Sequence, residues 1–361
     1  MCAEDTLVDG PRRHVGFAFD IAGRALPGWP VELPDTGLTT SAVVVGDELH
    51  LVASEIASAD GGGAQAAAWW LFAVSATGDV RSGRRYEVAD AAGNFDVRLA
   101  PNGIAYRLSF SGTTDAVRTE ITAFDLDGVR PGWPVTVDGI TSQPAVKQDG
   151  TIAVARLTKP GLKSQVVFIA PTGGTAASTS GDIPFDPIDD TTSAGATLMS
   201  PIVADDGAAW LLGTFESTKA SVVRVAPDGT VGPLARIVLA MPLQPRGACS
   251  PEDSGCGVWR SVPAVAPDGT LFVPESAVGD GGGLSSSSGG SLVAIRPDGS
   301  APSGWPVFLP DSMAGYWTVL TRADSTIEAL AVVPTDAGNQ WSIAILGADG
   351  KDRGSTALIV P

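Results

Sequence analysis

The sequence predicts an all-β fold that repeats a four-stranded unit, and three observations support this. Asp-Gly and Asn-Gly turns recur through the 361 residues in two interleaved series. Short apolar runs of strand length lie between these turns. No stretch of about 10–12 residues shows helical periodicity with caps at its ends. Four-stranded antiparallel units repeated six or seven times around an axis form a β-propeller, which is the fold that we predict.

Two series of turns define the period of the repeat. The early turns are centred on Asp47, Asn102, Asp149, Asp206, Asp268 and Asp324, which are 47 to 62 residues apart. The late turns are centred on Gly23, Gly78, Gly128, Gly173, Gly229, Gly299 and Gly350, which are 45 to 70 residues apart. Gly accepts a positive φ and Asp or Asn tolerates one, so these pairs suit tight hairpins. The shared period therefore predicts a series of similar blades.

The four strands of a unit differ in character. The first is small and apolar, as in 41–45, which is typical of a strand that is buried on both faces near an axis. The second and third follow the early turn, as in 49–52 and 70–74. The fourth carries the sequence Gly-Trp-Pro-Val, which occurs at Gly28, Gly132 and Gly304. Proline is tolerated in an outermost strand because one edge of that strand is unpaired.

The predicted domain is a single β-propeller over residues 15–361, and the chain begins midway through a repeat. Residues 1–14 form an N-terminal segment, which is either a lipoprotein-like tether or a first strand. We favour seven blades, with the apolar tail from Ala357 completing the N-terminal blade. The alternative is six full blades with an N-terminal hairpin laid on the outside.

The repeats also resemble a known group. The Gly-Trp-Pro-Val strand, the Asp-Gly turn before it and the Ser-x-Pro-Ala-Val strand after it resemble bacterial extracellular propeller repeats of the quinoprotein-like and FG-GAP (VCBS) proteins. The resemblance covers nearly the whole chain and implies a fold rather than an activity. No residue set in this sequence matches the pyrroloquinoline quinone site of the quinoproteins.

FG-GAP repeats often hold calcium in Asp-x-Asp-Gly-Asp-Gly loops. In this chain the corresponding turns retain one acid, and Asp125-Leu-Asp127-Gly is the nearest approach to such a loop. Calcium needs about six to eight oxygen ligands, so we predict that these acids form turns. No cofactor and no metal is therefore predicted, and structural calcium is the less favoured alternative.

The charge and the apolar runs exclude two classes of partner. The net charge is −17 with an isoelectric point near 4.4, and the sequence contains no cluster of Lys and Arg. Nucleic acids are bound mainly through such clusters, so we predict no nucleic-acid partner. No apolar run approaches the roughly 20 residues of a membrane-spanning helix, so no transmembrane segment is predicted.

The cysteines indicate an extracytoplasmic protein. Cys249 and Cys256 lie seven positions apart in a loop rich in Pro, Ser and Gly, which allows the chain to double back. A metal site would need further Cys or His nearby, so a disulfide is the favoured interpretation. Disulfides persist outside the cytoplasm, which predicts a secreted, periplasmic or cell-surface bacterial protein.

Cys2 precedes polar residues as in a lipoprotein whose signal was replaced by Met1, and an incidental terminal cysteine is the alternative.

No catalytic motif is legible in the sequence. The two histidines, His14 and His50, lack any supporting nucleophile motif.

Residues that enter the inner strands of a propeller surround one mouth of its channel. The ligand-binding candidates among them are Asp96, Gln143, Trp259, Arg260, Tyr316 and Trp317. Aromatic, amide and charged side chains at a mouth suit a sugar or a peptide, and the alternative is that the rings seal neighbouring blades.

The predicted function is an exported, non-enzymatic binding or scaffolding protein that recognises a protein or a glycan. Catalysis needs a proton-transfer group, a nucleophile, a metal or a cofactor, and none of these is evident. The alternative is a carbohydrate-directed lyase or hydrolase that uses Asp96, Arg260 and Tyr316 at the channel mouth, because paired acids are sufficient for a glycosidase.

The disulfide can be tested by mass spectrometry of unreduced peptides from the exported protein. We expect Cys249 and Cys256 to be joined, because closing this short loop stabilises the chain by roughly 2–3 kcal/mol on an entropic model. Two free thiols in that fraction would contradict the prediction.

Overall fold

The computed structural model describes residues 14–16, 18, 25–33, 39–59, 62–87, 97–113, 116–147, 149–158, 163–174, 176–183, 185, 200–216, 219–238, 263–275, 291–308, 318–322, 324–335 and 338–358. Every regular element in these ranges is a β-strand. The chain divides into two compact units, Met1–Thr151 with Ile169–Ala176, and Ile152–Phe168 with Ala177–Pro361. The all-β class expected from the sequence is confirmed. The single domain and the number of blades stay predictions.

The first unit contains three antiparallel sheets. The first sheet pairs β1 (His14–Gly16) with β2 (Val31–Leu33). The second follows chain order, with β3 (Thr39–Val45), β4 (Glu48–Ala59), β5 (Gly62–Ser75) and β6 (Val80–Glu87). The third has β7 (Val97–Leu99), β8 (Ala105–Thr113) and β9 (Ala116–Asp125) in order, with both β10 (Gly128–Val129) and β11 (Val135–Asp138) on β9. Two short strands follow, β12 (Ile140–Thr141) and β13 (Ala145–Val146).

The second unit repeats the same pattern. Its first strands are β14 (Ile152–Thr158), β15 (Lys163–Ile169) and β16 (Ala176–Thr179), adjacent in that order. Three four-stranded antiparallel sheets then run in chain order. They are β17 (Ile202–Val203), β18 (Ala209–Glu216), β19 (Lys219–Val225) and β20 (Val231–Val238); β21 (Ala264–Val265), β22 (Leu271–Glu275), β23 (Ser291–Ile295) and β24 (Val307–Phe308); and β25 (Thr318–Thr321), β26 (Ile327–Thr335), β27 (Gly338–Leu346) and β28 (Asp352–Leu358).

Within each unit, sheets that follow one another in the chain share apolar cores. In the first unit, Val52, Trp69 and Leu71 of the β3–β6 sheet pack with Val97 and Phe124 of the β7–β11 sheet. Neighbouring sheets of the second unit pack in the same way, across three clusters. Stacking of successive sheets of this kind is the arrangement expected for propeller blades.

The buried apolar runs lie in second and third strands, such as 51–53 and 71–74. The expectation that the first strand at 41–45 is buried on both faces is wrong, because Val44 is 64% exposed on β3, which lies at the edge of its sheet where fewer neighbours cover it.

The turn series behaves as the sequence predicts. In five of the six early turns, an Asx oxygen accepts the backbone N–H two residues later, at 2.8 to 3.2 Å. The acceptors are Asn102, Asp149, Asp206, Asp268 and Asp324. The N–H of Thr151 lowers the pKa of the Asp149 carboxyl, and that of Thr326 lowers the pKa of Asp324. Asp149 and Asp324 are therefore ionised at neutral pH, and all five side chains serve as turn formers.

The Gly-Trp-Pro segments differ in one respect from the expectation. The fourth strand begins after the proline, at Val31, Val135 and Val307, and Gly-Trp-Pro forms the turn that precedes it. In each segment the Trp–Pro peptide bond is cis. The expectation placed proline on an unpaired strand edge, whereas the structure places it outside the strand, where no ladder hydrogen bond is lost.

Each Gly-Trp-Pro turn is fastened to a late turn farther along the chain. The indole N–H of Trp29 donates to the Ala76 carbonyl at 3.1 Å. The indole N–H of Trp133 donates to the Pro171 carbonyl at 3.4 Å, and that of Trp305 donates to the Ala348 carbonyl at 3.1 Å. In all three cases the acceptor is the second residue of a four-residue turn that ends in glycine. We call this contact the indole clasp.

Glycine makes the indole clasp possible by close backbone approach. Gly132 has a φ of +82°, and a Cβ at this position would overlap the carbonyl oxygen of Thr172. Gly304 is similar, because its Cβ would lie 2.7 Å from the Asp349 carbonyl oxygen. A side chain at either glycine would force the two turns apart.

The C-terminal tail pairs differently from the expectation. Ala357 and Leu358 belong to β28 and lie opposite Ser342 and Trp341 of β27. The prediction that the tail from Ala357 completes the N-terminal blade is therefore wrong for these two residues. Their apolar character suits a local hairpin partner, which costs less chain entropy than a distant one.

We expect Gly132→Ala to lower the free energy of unfolding by roughly 3 kcal/mol or more, because it adds an overlap to the cost of a positive φ. Gly46→Ala is the matched control, since Gly46 has a φ of +64° and nothing lies within 4 Å of its would-be Cβ. The control should lose only about 1–2 kcal/mol. Denaturant titrations of the two variants provide the comparison, and equal losses would show that the clasp contact is unimportant.

Candidate functional site

The residues predicted to bind a ligand fall mostly outside the described ranges. Asp96, Trp259, Arg260, Tyr316 and Trp317 lie there, and the structure does not test them. The same holds for Cys2, Cys249 and Cys256. These assignments stay predictions.

Gln143 is the one predicted ligand-binding residue that the structure describes. It follows β12 and is half-buried, and its side-chain oxygen Oε1 is buried without a hydrogen-bond partner. The Oγ1 atom of Thr141, two residues earlier, is in the same state. Two unpaired polar atoms close in sequence indicate a place where a donor would be accommodated.

A second location contains a better-defined cavity. A cleft of about 340 Å³ lies between the β3–β6 sheet and the β7–β11 sheet of the first unit. It is lined by Trp69, Arg85, Tyr86, Arg107, Thr122, Phe124, Gly128 and Val129, and we call it the Arg107 cleft. Its volume falls within the range of small-ligand sites, about 300–1,000 Å³.

Strand pairing places these side chains together. Trp69 on β5 lies opposite Tyr86 on β6. Arg107 on β8 lies opposite Thr122 on β9, and cross-strand partners share one face of a sheet. The outer wall comes from the β9–β10 hairpin, which contributes Val129 at its edge. The cleft is thus built on strands rather than on long loops, so its side chains are held by regular backbone.

Aromatic rings form one wall of the Arg107 cleft. The Tyr86 and Phe124 rings are tilted by 43° with centroids 4.5 Å apart. The Tyr86 hydroxyl donates to the Asp125 carbonyl at 2.6 Å, which ties β6 to the β9–β10 turn. Val129 is 53% exposed, so the cleft has an apolar rim that reaches solvent.

The polar atoms of the cleft are mainly donors. The Nε atom of Arg107 and the Nε1 atom of Trp69 are buried and have no hydrogen-bond partner. Among the described residues, no carboxylate forms an ion pair with Arg107. A buried donor without an acceptor costs about 1–3 kcal/mol, so an acceptor that entered here would relieve an existing penalty.

Asp125 lies beside the cleft in the turn that most resembled a calcium loop. Its Oδ1 atom accepts the backbone N–H groups of Asp127 and Gly128, at 3.0 and 3.2 Å. Its Oδ2 atom accepts from Arg130 at 3.1 Å. This carboxylate is therefore engaged in turn formation and an ion pair. In the part of the chain that the structure describes, no three His, Cys, Asp or Glu side chains are grouped as metal ligands.

His50 is the one histidine whose side chain is described. Its Nε2 atom lies 3.5 Å from the Glu48 carboxylate, which also pairs with Arg81. Its Nδ1 atom is buried without a partner, against Gly103. The side chain lies in β4 at the start of the apolar core, away from the Arg107 cleft lining.

Tyr106 lies next to Arg107 on β8 and points to the opposite face of the sheet. It is almost fully buried, and its ring meets Trp133 edge-on with centroids 5.7 Å apart. Burial raises the pKa of its phenol to about 12, and nearby Arg130 and Asn102 oppose the shift. This residue joins the clasp of Trp133 to the strand that carries Arg107.

No protein-family model matches the chain, and no curated protein sequence is significantly similar to it. Many solved structures are similar to the chain. A eukaryotic initiation factor is 13% identical with a TM-score of 0.43, over 96% of this chain and 83% of that one. A quinoprotein alcohol dehydrogenase-like protein from Bacteroides thetaiotaomicron is 12% identical with a TM-score of 0.45, over 88% of this chain and 65% of that one.

A third similar structure is a puromycin hydrolase, 15% identical with a TM-score of 0.40, over 88% of this chain and 53% of that one. The chain thus spans about half to two thirds of the last two proteins. At this level of similarity no activity passes from these proteins to the chain.

No described helix is long and apolar enough to cross a membrane.

The Arg107 cleft was not predicted from the sequence. Its lining comes from five strands between residues 69 and 129, so no local motif marks it. One signal was available, since Arg107 is a charged residue inside an apolar strand, between the buried residues Tyr106 and Leu108. Strand alternation places Arg107 on the face of β8 opposite to that of Tyr106 and Leu108. A charged residue at such a position indicates a polar or ligand-binding surface on that face.

As pH rises from 10 to 12, we expect the free energy of unfolding of the unmodified protein to fall relative to that of its Tyr106→Phe variant. The phenol stays neutral up to about 12 in the folded state but ionises near 10.0 when unfolded, so this residue contributes less stability above pH 10. Denaturant midpoints at pH 8 and pH 11.5 provide the measurement. A constant difference across this range would show that Tyr106 titrates normally.

Proposed function

We propose that the protein is an exported, non-enzymatic binding protein with a β-propeller fold, which recognises a protein or a glycan. The observation that carries the proposal is the Arg107 cleft, which combines aromatic walls with unpaired donors. Arg, Trp and Tyr are the residues most enriched at the centres of recognition sites.

The chemistry of the cleft suits binding better than catalysis. Among its described lining residues, none is Asp, Glu, His, Cys, Lys or Ser. Arginine keeps its proton at physiological pH, so it cannot act as a general base. The Tyr86 hydroxyl already donates to the Asp125 carbonyl. The lining can therefore hold and orient a ligand, but it has no group suited to moving a proton.

The fold and the location belong to the same proposal. Successive four-stranded sheets with shared cores support a propeller, for which we favour seven blades over six. Export is supported by the spacing of Cys249 and Cys256 in the sequence. No cofactor is included in the proposal, because the Asp residues of the described turns are engaged as backbone acceptors.

Binding can be tested with arrays of glycans and blocked peptides. We expect at least one ligand to be retained and recovered with an unchanged mass, because the cleft lacks a proton-transfer group. Val129→Trp should fill the cleft and weaken this binding about tenfold or more. Leu320→Trp is the matched control, since Leu320 is 55% exposed on a strand of the second unit, compared with 53% for Val129.

Two results would contradict the proposal. The first is time-dependent conversion of a retained ligand to a product of different mass, which would indicate an enzyme. The second is equal loss of binding in both tryptophan variants, or in neither of them, which would place the ligand outside the Arg107 cleft.

A further inference from the structure

We infer that the Arg107 cleft binds a carboxylate side chain, Glu or Asp, presented by an extended peptide segment of a partner protein. This inference rests on the proposed binding function and names the group that the cleft recognises. It is carried by the donors, the rim and the strand edges of the cleft.

The donors select an anion. Arg107 lines the cleft, and the lining contains no described carboxylate. The Nε atom of Arg107 and the indole N–H of Trp69 have no acceptor, although Trp69 is only 4% exposed. A carboxylate accepts hydrogen bonds with both oxygens and donates none, so it matches a surface of this kind. A planar guanidinium can bind it through two parallel N–H groups.

The rim suits the stem of an acidic side chain. Val129 and Phe124 lie opposite each other at the β9–β10 hairpin and offer apolar surface beside Arg107. The methylene groups of Glu or Asp can pack on this surface while the carboxylate reaches Arg107. Inorganic phosphate or sulfate has no apolar part that would use the rim.

The absence of acceptors argues for a peptide rather than an acidic glycan. Each sugar hydroxyl both donates and accepts, and Asp, Glu, Asn and Gln commonly accept from such groups. Among the described lining residues, only Thr122 and Tyr86 carry a side-chain oxygen, and the Tyr86 hydroxyl contacts Asp125. A uronic acid would therefore leave several hydroxyl donors without partners.

Strand edges on both sides of the cleft support the same choice. Within the described residues, β6 pairs only with β5, and β10 pairs only with β9. Both edges contribute cleft residues, Arg85 and Tyr86 from β6 and Val129 from β10. An edge strand leaves backbone N–H and C=O groups that an extended peptide can pair with. The peptide backbone would be held at an edge and its acidic side chain in the cleft.

The test compares two blocked pentapeptides, acetyl-Thr-Val-Glu-Val-Thr-amide and its Gln counterpart, by isothermal titration calorimetry up to about 5 mM, where Kd values of the millimolar class are measurable. We expect the Glu peptide to bind at least tenfold more tightly than the Gln peptide. Arg107→Gln should abolish this preference, and Arg107→Lys should retain part of it because charge remains while the planar fork is lost.

Arg118→Gln is the control variant. Arg118 lies on β9 in the same sheet, pairs with Asp138 at 3.2 Å and is absent from the cleft lining. It should leave the preference for Glu unchanged. If Arg107→Gln lowers the melting temperature, Trp69→Phe, which removes the other unpaired donor, tests the cleft from the other sheet.

Several outcomes would overturn the inference. The first is equal affinity for the two peptides, and the second is no binding of either peptide up to about 5 mM. The third is an equal effect of Arg107→Gln and Arg118→Gln on the preference for Glu. The fourth is tighter binding of oligoglucuronate than of the Glu peptide. A ligand from the arrays that binds regardless of charge would leave the proposed function intact and reject only the carboxylate. Turnover of an array ligand would reject the proposed function even if the Glu peptide were preferred.

Discussion

The structure depends on the indole clasp, in which a Gly-Trp-Pro turn is fastened to a late turn by an indole N–H and a close glycine contact. Trp29, Trp133 and Trp305 make the same hydrogen bond, to the second residue of a glycine-ended turn in each case. Such a bond contributes about 1 kcal/mol. The contact fixes the turns that lead into β2, β11 and β24, and apolar cores lie between the sheets.

The Arg107 cleft follows from how two such sheets meet. Trp69 belongs both to the core shared by Val52 and Phe124 and to the cleft lining, so the ring is fixed by packing. A net charge of −17 repels anions at long range, but this field is screened within about 8 Å at physiological salt. Recognition of an acidic group must therefore come from short-range contacts with Arg107 and Trp69, which favours a specific partner over anions in general.

Much of the fold could be predicted from the sequence, because its signals are local. The Asx turns at Asp149, Asp206 and Asp268 depend on neighbouring residues, and the structure places them as expected. The end of the chain was mispredicted at Ala357, because a hydrophobic strand does not specify its partner. The cleft could not be predicted, since it depends on the separation of two sheets. Of the predicted mouth residues, Gln143 alone is described. Its side-chain oxygen has no hydrogen-bond partner, so Gln143 stays a candidate ligand-binding residue.

The central claim is that the Arg107 cleft is the place where a ligand binds, and the indole N–H of Trp69 reports on it most directly. In a ¹H–¹⁵N spectrum, with this resonance assigned from a Trp69→Phe variant, addition of the Glu pentapeptide should shift the Trp69 signal progressively. The Trp305 signal, whose N–H already donates to the Ala348 carbonyl in the second unit, should remain in place. A peptide that binds while the Trp69 signal stays fixed would contradict the account.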